Sequence, residues 1–329
     1  MQCRICGASE VSAAGEVEYY SGFAWTIFDC HACFCRFTQH DEAIYDWLHS
    51  TPSSIYQLYR ELGENARRLF EEHNLAELRQ ELTKTAKYKF VIESVEPYSK
   101  NSRLLEIGCA RGFLTSYFIL AGYDIVGTDV SPEAIAWASE AFGNHFTLAD
   151  SSVSQEAPYD VIYHVGTIGC VGDPMRLTRW LLKMLKPGGQ LLFNAPNADS
   201  CCLKGQLWID AAPPPDLVTL FRPGFWRKHF SKTVGVVEEV TVSSPDENLG
   251  LALKKLFGHV WSKPIPLELN ASASCYRGDR PESVGPSGNL WHRLERTGGR
   301  VGRLTRLSRF APSQPAPFGL FVRMTKNPA

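Results

Sequence analysis

The stretch LLEIGCARGFL, residues 104–114, constrains the fold more than any other. An apolar run contains an acid, Glu106, and small residues follow at alternate positions: Gly108, Ala110 and Gly112. This reads as a buried strand that breaks at a glycine turn and opens a helix, a device that brings bare backbone close to a ligand. The alternation continues downstream. DIVGTDV, HFTLAD, YDVIYHVG and QLLFNAPN read as strands; GFLTSYFILAGY, SPEAIAWASEAFG and DPMRLTRWLLKMLKPGG read as helices. Gly122 closes the first helix, Ser131 caps the second with Pro132 at its first position, and Pro187 with two glycines stops the third. Strands and helices in this order argue for an α/β fold with a doubly wound, mostly parallel sheet.

The flanks differ in character. Residues 53–96 are charged, with apolar residues at helical spacing (Leu58, Leu62; Leu75, Leu78, Leu82; Phe90, Val91, Val95), and predict two or three helices that end before Pro97. After Asn197 the pattern loosens. FRPGFWRKHFS predicts a short helix, VGVVEEVTVS a strand, and FGLFVRMTK, residues 318–326, a final strand. Residues 246–316, rich in Pro, Gly and Ser, carry no clear assignment.

With 329 residues and 44% hydrophobic content, the chain can bury one large core with appendages. A net charge of -1 gives no global attraction to nucleic acid or membrane. No apolar run approaches the roughly 18 residues that span a bilayer, and MQCRICGASE lacks the basic-then-apolar order of a signal peptide. The expectation is a cytoplasmic protein.

Ten cysteines in a reducing compartment, some paired at short spacing, point to metal rather than to disulfides. Cys3 and Cys6 form one C-x-x-C pair, Cys30 and Cys33 another. Each pair can place two thiolates on one turn, and two such turns close a four-cysteine tetrahedral zinc site. Gly7 fits the first knuckle. Phe34 stands at the matching place in the second, and Cys35 and His31 are substitute ligands. The other reading is a set of buried thiols without metal.

The glycine turn has company that gives it a family. The order acid-x-Gly-x-Ala-x-Gly, with Asp129 ending the next strand and Asp150 ending the third, resembles class I S-adenosylmethionine-dependent methyltransferases. The resemblance covers about residues 86–240 and the final strand. It implies a Rossmann-like sheet whose last strand is antiparallel, with S-adenosylmethionine on Glu106, Gly108, Cys109, Ala110 and Gly112. The ribose hydroxyls fall to Asp129 beside Val130, the adenine amino group to Asp150 beside Ser151, and the methyl side to Val165 and Gly166. Ala110 departs from the family's middle Gly. A nicotinamide enzyme would want Gly at position 113, which is Phe113. Many small-molecule methyltransferases of sugar and natural-product pathways resemble this chain in carrying a short four-cysteine module ahead of the core, which implies a lid or substrate-binding role for it.

The chain thus divides into a zinc-binding module (1–44), a helical lid or linker (45–100), the cofactor-binding core (101–245), a substrate-side insertion (246–317) and a final core strand (318–329). His164, at the end of the fourth strand, and Cys170 in the loop beyond are the catalytic candidates. A packed His and a small buried thiol are the competing readings. Ubiquinone-type O-methyltransferases carry acids and a Glu-His pair in that loop. Gly166, Gly169 and Cys170 stand there here, which does not support a magnesium-assisted mechanism. Asn197, Asp199 and Asp210 could hold a polar acceptor, and Asp216, in PPPDLVTLF, stands where relatives often show His after a proline turn. The expected substrate is a small polar metabolite, a sugar or natural-product intermediate, methylated on O, N or C. Two alternatives stand. One is an RNA or protein methyltransferase that uses the module and the arginines 293, 296, 300, 303, 306 and 309. The other is a non-catalytic S-adenosylmethionine-binding protein. Arg4 and Arg36 are the only basic side chains besides His in residues 1–44, which argues against nucleic acid. Oligomeric state is not legible.

Overall fold

The computed structural model describes residues 1–20, 23–45, 57–149, 158–200, 206–209, 212, 214–241, 268–269, 276–277 and 319–328. The arginine series, Asp150, Ser151, Asp210 and most of the expected insertion lie outside the described residues.

The core is a seven-stranded sheet. Its strands are β4 (Arg103–Ile107), β5 (Asp124–Asp129), β6 (Phe146–Leu148), β7 (Tyr159–His164), β8 (Leu185–Pro196), β10 (Val236–Thr241) and β11 (Gly319–Thr325). Their spatial order is β10-β11-β8-β7-β4-β5-β6. β4 to β8 pair in parallel, and β11 runs antiparallel to both neighbours, β8 and β10. This is the mostly parallel sheet that the alternation implied, with the antiparallel last strand that the resemblance implied.

Alternate residues feed two separate cores, as the period of two in a strand requires. Leu104, Ile125, Val161, Tyr163 and Leu192 face one side. There they meet α1 (Gln57–Glu71), α2 (Leu75–Thr83), α3 (Ala86–Val95), α4 (Phe113–Leu120) and α5 (Pro132–Phe142). Leu105, Ile162, Leu191, Phe193 and Val322 face the other. There they meet α6 (Pro174–Met184), α7 (Phe225–Phe230) and the N-terminal cysteines.

Local signals set several boundaries. Ser131 accepts from the Ala134 N–H, and Pro132 opens α5. Asp173 does the same for α6 through the Arg176 N–H. One boundary differs from the sequence reading. α6 ends at Met184, and Leu185 is already extended and opens β8. Lys186 precedes Pro187, whose ring disfavours helix at the residue before it, so the chain leaves the helix early.

The N-terminal segment makes its own small sheet. β1 (Val11–Tyr20) and β2 (Phe23–Cys30) form an antiparallel pair, and β3 (Arg36–Phe37) adds to β2. The fourth strand is β9 (Thr219–Leu220), which comes from the core segment after β8. Among the described residues, no helix is long and apolar enough to cross a membrane.

Trp226 of α7 is fully buried and packs on Phe193, Phe221 and Phe225, with ring centroids 4.8–4.9 Å away. Trp226→Ala is expected to cost about 3–5 kcal/mol by loss of that packing. Urea unfolding of the two proteins measures it.

Candidate functional site

A cavity of about 330 Å³ opens at the carboxyl ends of β4, β5 and β7. In open parallel sheets this is where ligands sit, because the βα turns leave backbone donors facing out. The first turn supplies Gly108 and Ala110, the second Asp129, Val130 and Ser131. The loop after β7 supplies Val165, Gly166, Thr167 and Cys170.

The first turn depends on left-handed backbone. Gly108 has φ 74°, and a Cβ there would lie 2.6 Å from Thr167 Oγ1. Gly112 has φ 67°, and a Cβ would meet the Phe146 ring at 2.5 Å. Ala110 also takes a positive φ, 48°, although it carries a Cβ. What holds it is Asp129. One carboxylate oxygen accepts the Ala110 N–H at 2.7 Å, and the other accepts the Ser131 N–H at 2.9 Å. A carboxylate offers about four lone-pair positions, so these two bonds do not exhaust it, and Asp129 lines the cavity.

Glu106 sits beneath the turn, 3% exposed, and accepts hydroxyl protons from Thr115 and from Tyr163 at 3.1 Å. Burial pushes its carboxyl from the usual 4.5 up to about 7. Burial raises Asp129 as well, against the pull of its backbone donors.

Among the residues expected at the cofactor, Glu106, Gly108, Ala110, Asp129, Val130, Val165 and Gly166 line the cavity. Cys109 and Gly112 do not. The Cys109 side chain is 1% exposed, and Gly112 packs on Phe146. Their part is to shape the turn: the Cys109 carbonyl accepts the Gly112 N–H at 2.8 Å. The Gly166 N–H donates to Asn194 Oδ1 at 2.8 Å, which fixes the loop after β7 to β8.

His164 is not in the cavity wall. Strand alternation turns it with Ile162 to the opposite sheet face, where it is fully buried and stacks on Phe193 with centroids 4.7 Å apart. Burial pushes its imidazole down to about 3. The catalytic expectation for His164 is therefore corrected: an enclosed neutral ring does not reach a substrate proton. Cys170 does line the cavity, with its thiol donating to the Gly166 carbonyl at 3.3 Å and pushed well up by burial. A thiol held protonated is a wall, not a base. Asn197 and Asp199 are engaged elsewhere, Asp199 with Arg222 Nε at 3.2 Å, whereas Asp216 reaches the cavity.

Sequence reasoning missed Tyr88 and Lys87. Both come from the first turn of α3, whose spacing reads as ordinary core. Tyr88 lines the cavity edge-on to Phe113. The Lys87 ammonium lies 5.1 Å from the Tyr88 ring centroid. Burial lowers its pKa, while Cys170 and Asp216 are near enough to act on it electrostatically.

The four cysteines converge away from this cavity. The sulfurs of Cys3, Cys6, Cys30 and Cys33 all lie within 4.8 Å of one another, with Cys3 to Cys33 at 3.8 Å and Cys6 to Cys30 at 3.6 Å. Four thiolates about 2.3 Å from one tetrahedral metal are about 3.8 Å apart, so the donor set fits. The two knuckles close alike: Gly7 N–H donates to Cys3 O and Phe34 N–H to Cys30 O, both at 2.8 Å. Phe34 takes φ 62° to do what Gly7 does at 77°. His31 is turned to Ser12, 2.8 Å from its hydroxyl, and Cys35 stands outside the four.

Glu106 makes stability depend on pH with a definite sign. Its folded pKa exceeds the unfolded one, so the native state keeps a proton that the unfolded chain loses. Stability is full below pH 4.5 and falls as pH rises to about 7. Glu106→Gln keeps an acceptor for both hydroxyls but does not titrate. Its stability relative to the native protein is expected to improve by about 3 kcal/mol between pH 4 and 8, as read by denaturant unfolding at each pH.

The geometry agrees with comparisons to known proteins. Residues 57–233 match a family model described as a methyltransferase domain. The ubiquinone biosynthesis O-methyltransferase of Aliivibrio fischeri strain MJ11 is 30% identical over 103 residues, 29% of this chain and 44% of that protein. That of Cereibacter sphaeroides strain ATCC 17025 is 29% identical over 118 residues, 32% of this chain and 48% of the relative. The chain thus spans about half the length of these curated relatives. Among solved structures, a SAM-dependent methyltransferase from Archaeoglobus fulgidus aligns with TM-score 0.44 and 16% identity over 73% of this chain and 94% of that one. The plantazolicin methyltransferase BpumL in complex with SAH aligns with TM-score 0.41 and 17% identity over 87% and 94%. With more than half of its length matched to the family model, the chain belongs to the methyltransferase-domain family and carries the class I S-adenosylmethionine-dependent methyltransferase fold.

Proposed function

We propose that the protein transfers the methyl group of S-adenosylmethionine to a small polar metabolite, a sugar or natural-product intermediate, at an O, N or C atom. The observation that carries this reading is the convergence of the Gly108–Ala110 turn, the Asp129 carboxylate and the Gly166–Cys170 loop on one cavity. Bound there, S-adenosylmethionine supplies a methyl group already activated on a sulfonium. Asp129 takes the two ribose hydroxyls with its free lone pairs, and the turn brings backbone N–H and C=O groups against the amino-acid end. Glu106, below the turn, holds its shape through Thr115 and Tyr163.

The chain's remaining task is orientation, which supplies most of the effect in an in-line displacement. Tyr88, Cys170 and Asp216 line the cavity and, in this reading, position the acceptor. Asp216 gives that wall a charged acceptor, with Lys87 near enough to interact electrostatically with it, which suits a polar substrate.

Cys3, Cys6, Cys30 and Cys33 would hold zinc. With all four positions filled by protein, the metal would be structural and take no part in the chemistry. The recognition of RNA by this module finds little support. Arg4 is spent on core carbonyls, and Arg36 makes a two-pronged pair with Asp29 at 2.8 Å. Both basic side chains of the module are engaged within the protein rather than offered to phosphates.

Two measurements test the reading. Calorimetry is expected to show binding of S-adenosylhomocysteine, weakened about 10- to 100-fold by Asp129→Asn, the loss of one charged hydrogen-bonding partner. Incubation with labelled methyl donor and a metabolite extract is expected to label a small polar product. Binding without any labelled product would favour the non-catalytic alternative; no binding would sink the proposal. Metal analysis is expected to find about one zinc per chain and none in the Cys3→Ser, Cys30→Ser double variant.

A further inference from the structure

We propose that Arg4 is a positioning residue that couples the four-cysteine site to the wall of the acceptor cavity, so that metal occupancy shapes the acceptor pocket. The inference rests on reading that cavity as the methyl-transfer site.

Arg4 lies between two of the four ligands, Cys3 and Cys6, so the knuckle fixes its backbone. Its side chain leaves the module and forks into the core. One guanidinium nitrogen, Nη1, donates to the Gly172 carbonyl at 2.7 Å and lies 3.5 Å from that of Val171. The other, Nη2, donates to the Val218 carbonyl at 2.6 Å and to the Thr219 hydroxyl. The Phe37 ring lies 5.8 Å from its central carbon.

The two segments it grips are walls of the cavity. Residues 170 and 171 line it from the loop after β7, and Asp216 lines it just before Val218. The segments are also tied to each other: the Gly169 carbonyl accepts both the Val218 and the Thr219 N–H, at 2.8 and 3.0 Å. β3 and β9 then bond the module to the same stretch through Arg36–Leu220 and Phe37–Thr219. Gly169 leaves little slack, because a Cβ there would lie 2.7–2.8 Å from Pro196 and Leu217.

The knuckle's shape depends in turn on the cysteines. A metal held by four cysteines would cross-link the Cys3–Cys6 turn to the Cys30–Cys33 turn, whose sulfurs all lie within 4.8 Å of one another. Removing the metal would remove that cross-link and with it part of what fixes the origin of the Arg4 side chain, which bonds the carbonyls at 172 and 218. Lysine does not replace this group. A planar fork can bond two segments at once, and an ammonium is a single point.

The test uses the full zinc-loaded chain with hydrogen-exchange mass spectrometry, zinc analysis and calorimetry with S-adenosylhomocysteine. Arg4→Lys and Arg4→Ala are expected to keep one zinc per chain and to bind S-adenosylhomocysteine within threefold of the native protein. Exchange in residues 169–172 and 216–221 should rise at least tenfold, with β4 and β5 unchanged. A zinc chelator should give the same regional pattern in the native protein. Labelled-methyl transfer to extract should fall at least tenfold in both variants. If Arg4→Ala does not fold, Arg4→Lys, which keeps the charge and the stem, decides alone. Unchanged exchange in the two segments overturns the proposal. So does loss of zinc from Arg4→Lys, which would place the residue's effect on the metal, or transfer that continues undiminished where the native protein transfers. Failure of the native protein to bind S-adenosylhomocysteine removes the functional reading instead, and the exchange pattern still decides the coupling.

Discussion

The bond between the Asp129 carboxylate and the Ala110 N–H holds the ligand end of the sheet together. It joins the turn after β4 to the turn after β5, and the same carboxylate reaches forward to Ser131 at the start of α5. Two βα units are locked in one geometry by one side chain. The left-handed conformation of Ala110 is otherwise unfavourable for a residue with a Cβ. The acid that closes this bond also faces the cavity, so the group that builds the turn is the one placed to hold a polar ligand.

A second layer of support lies below. Glu106 is buried with two hydroxyls, and its carboxyl titrates near neutrality as a result. A carboxyl kept that far from water contributes shape rather than charge. On the other side of the sheet the cysteine module enters the same core as α6 and α7: Cys3, Ile5, Cys30 and Phe37 pack in one cluster with Leu105, Phe193 and Trp226. The module's sheet is completed by β9, a strand the core lends it. A change in either therefore strains the other.

Much of this was legible. The alternation of strand and helix required a mostly parallel sheet, and Ser131, Pro132 and Gly122 sit where the caps and stops were read. Gly108, Gly112 and the two C-x-x-C pairs were conspicuous because few backbones need such residues at such spacing. Other features were not legible. His164 looked catalytic because it ends the fourth strand beside the cavity loop, yet the strand's twofold period turns it to the far face against Phe193. Tyr88 carries no local signal that α3 supplies part of the cavity wall. Arg4 stands between two expected ligands with nothing local to reveal its partners, which are more than 160 residues away.

Local chemistry, then, fixed the sheet class, the position of the glycine turn and the pairing of the cysteines, because each follows from backbone freedom, periodicity or spacing over a few residues; the carboxylate at 129 was pointed to by the family resemblance. Tertiary structure alone decided which side of the sheet His164 faces, that α3 supplies a wall of the cavity, and that one arginine of the knuckle bonds the loops on which the acceptor would rest. Those outcomes depend on contacts between segments far apart in sequence, and such contacts leave no local periodic trace.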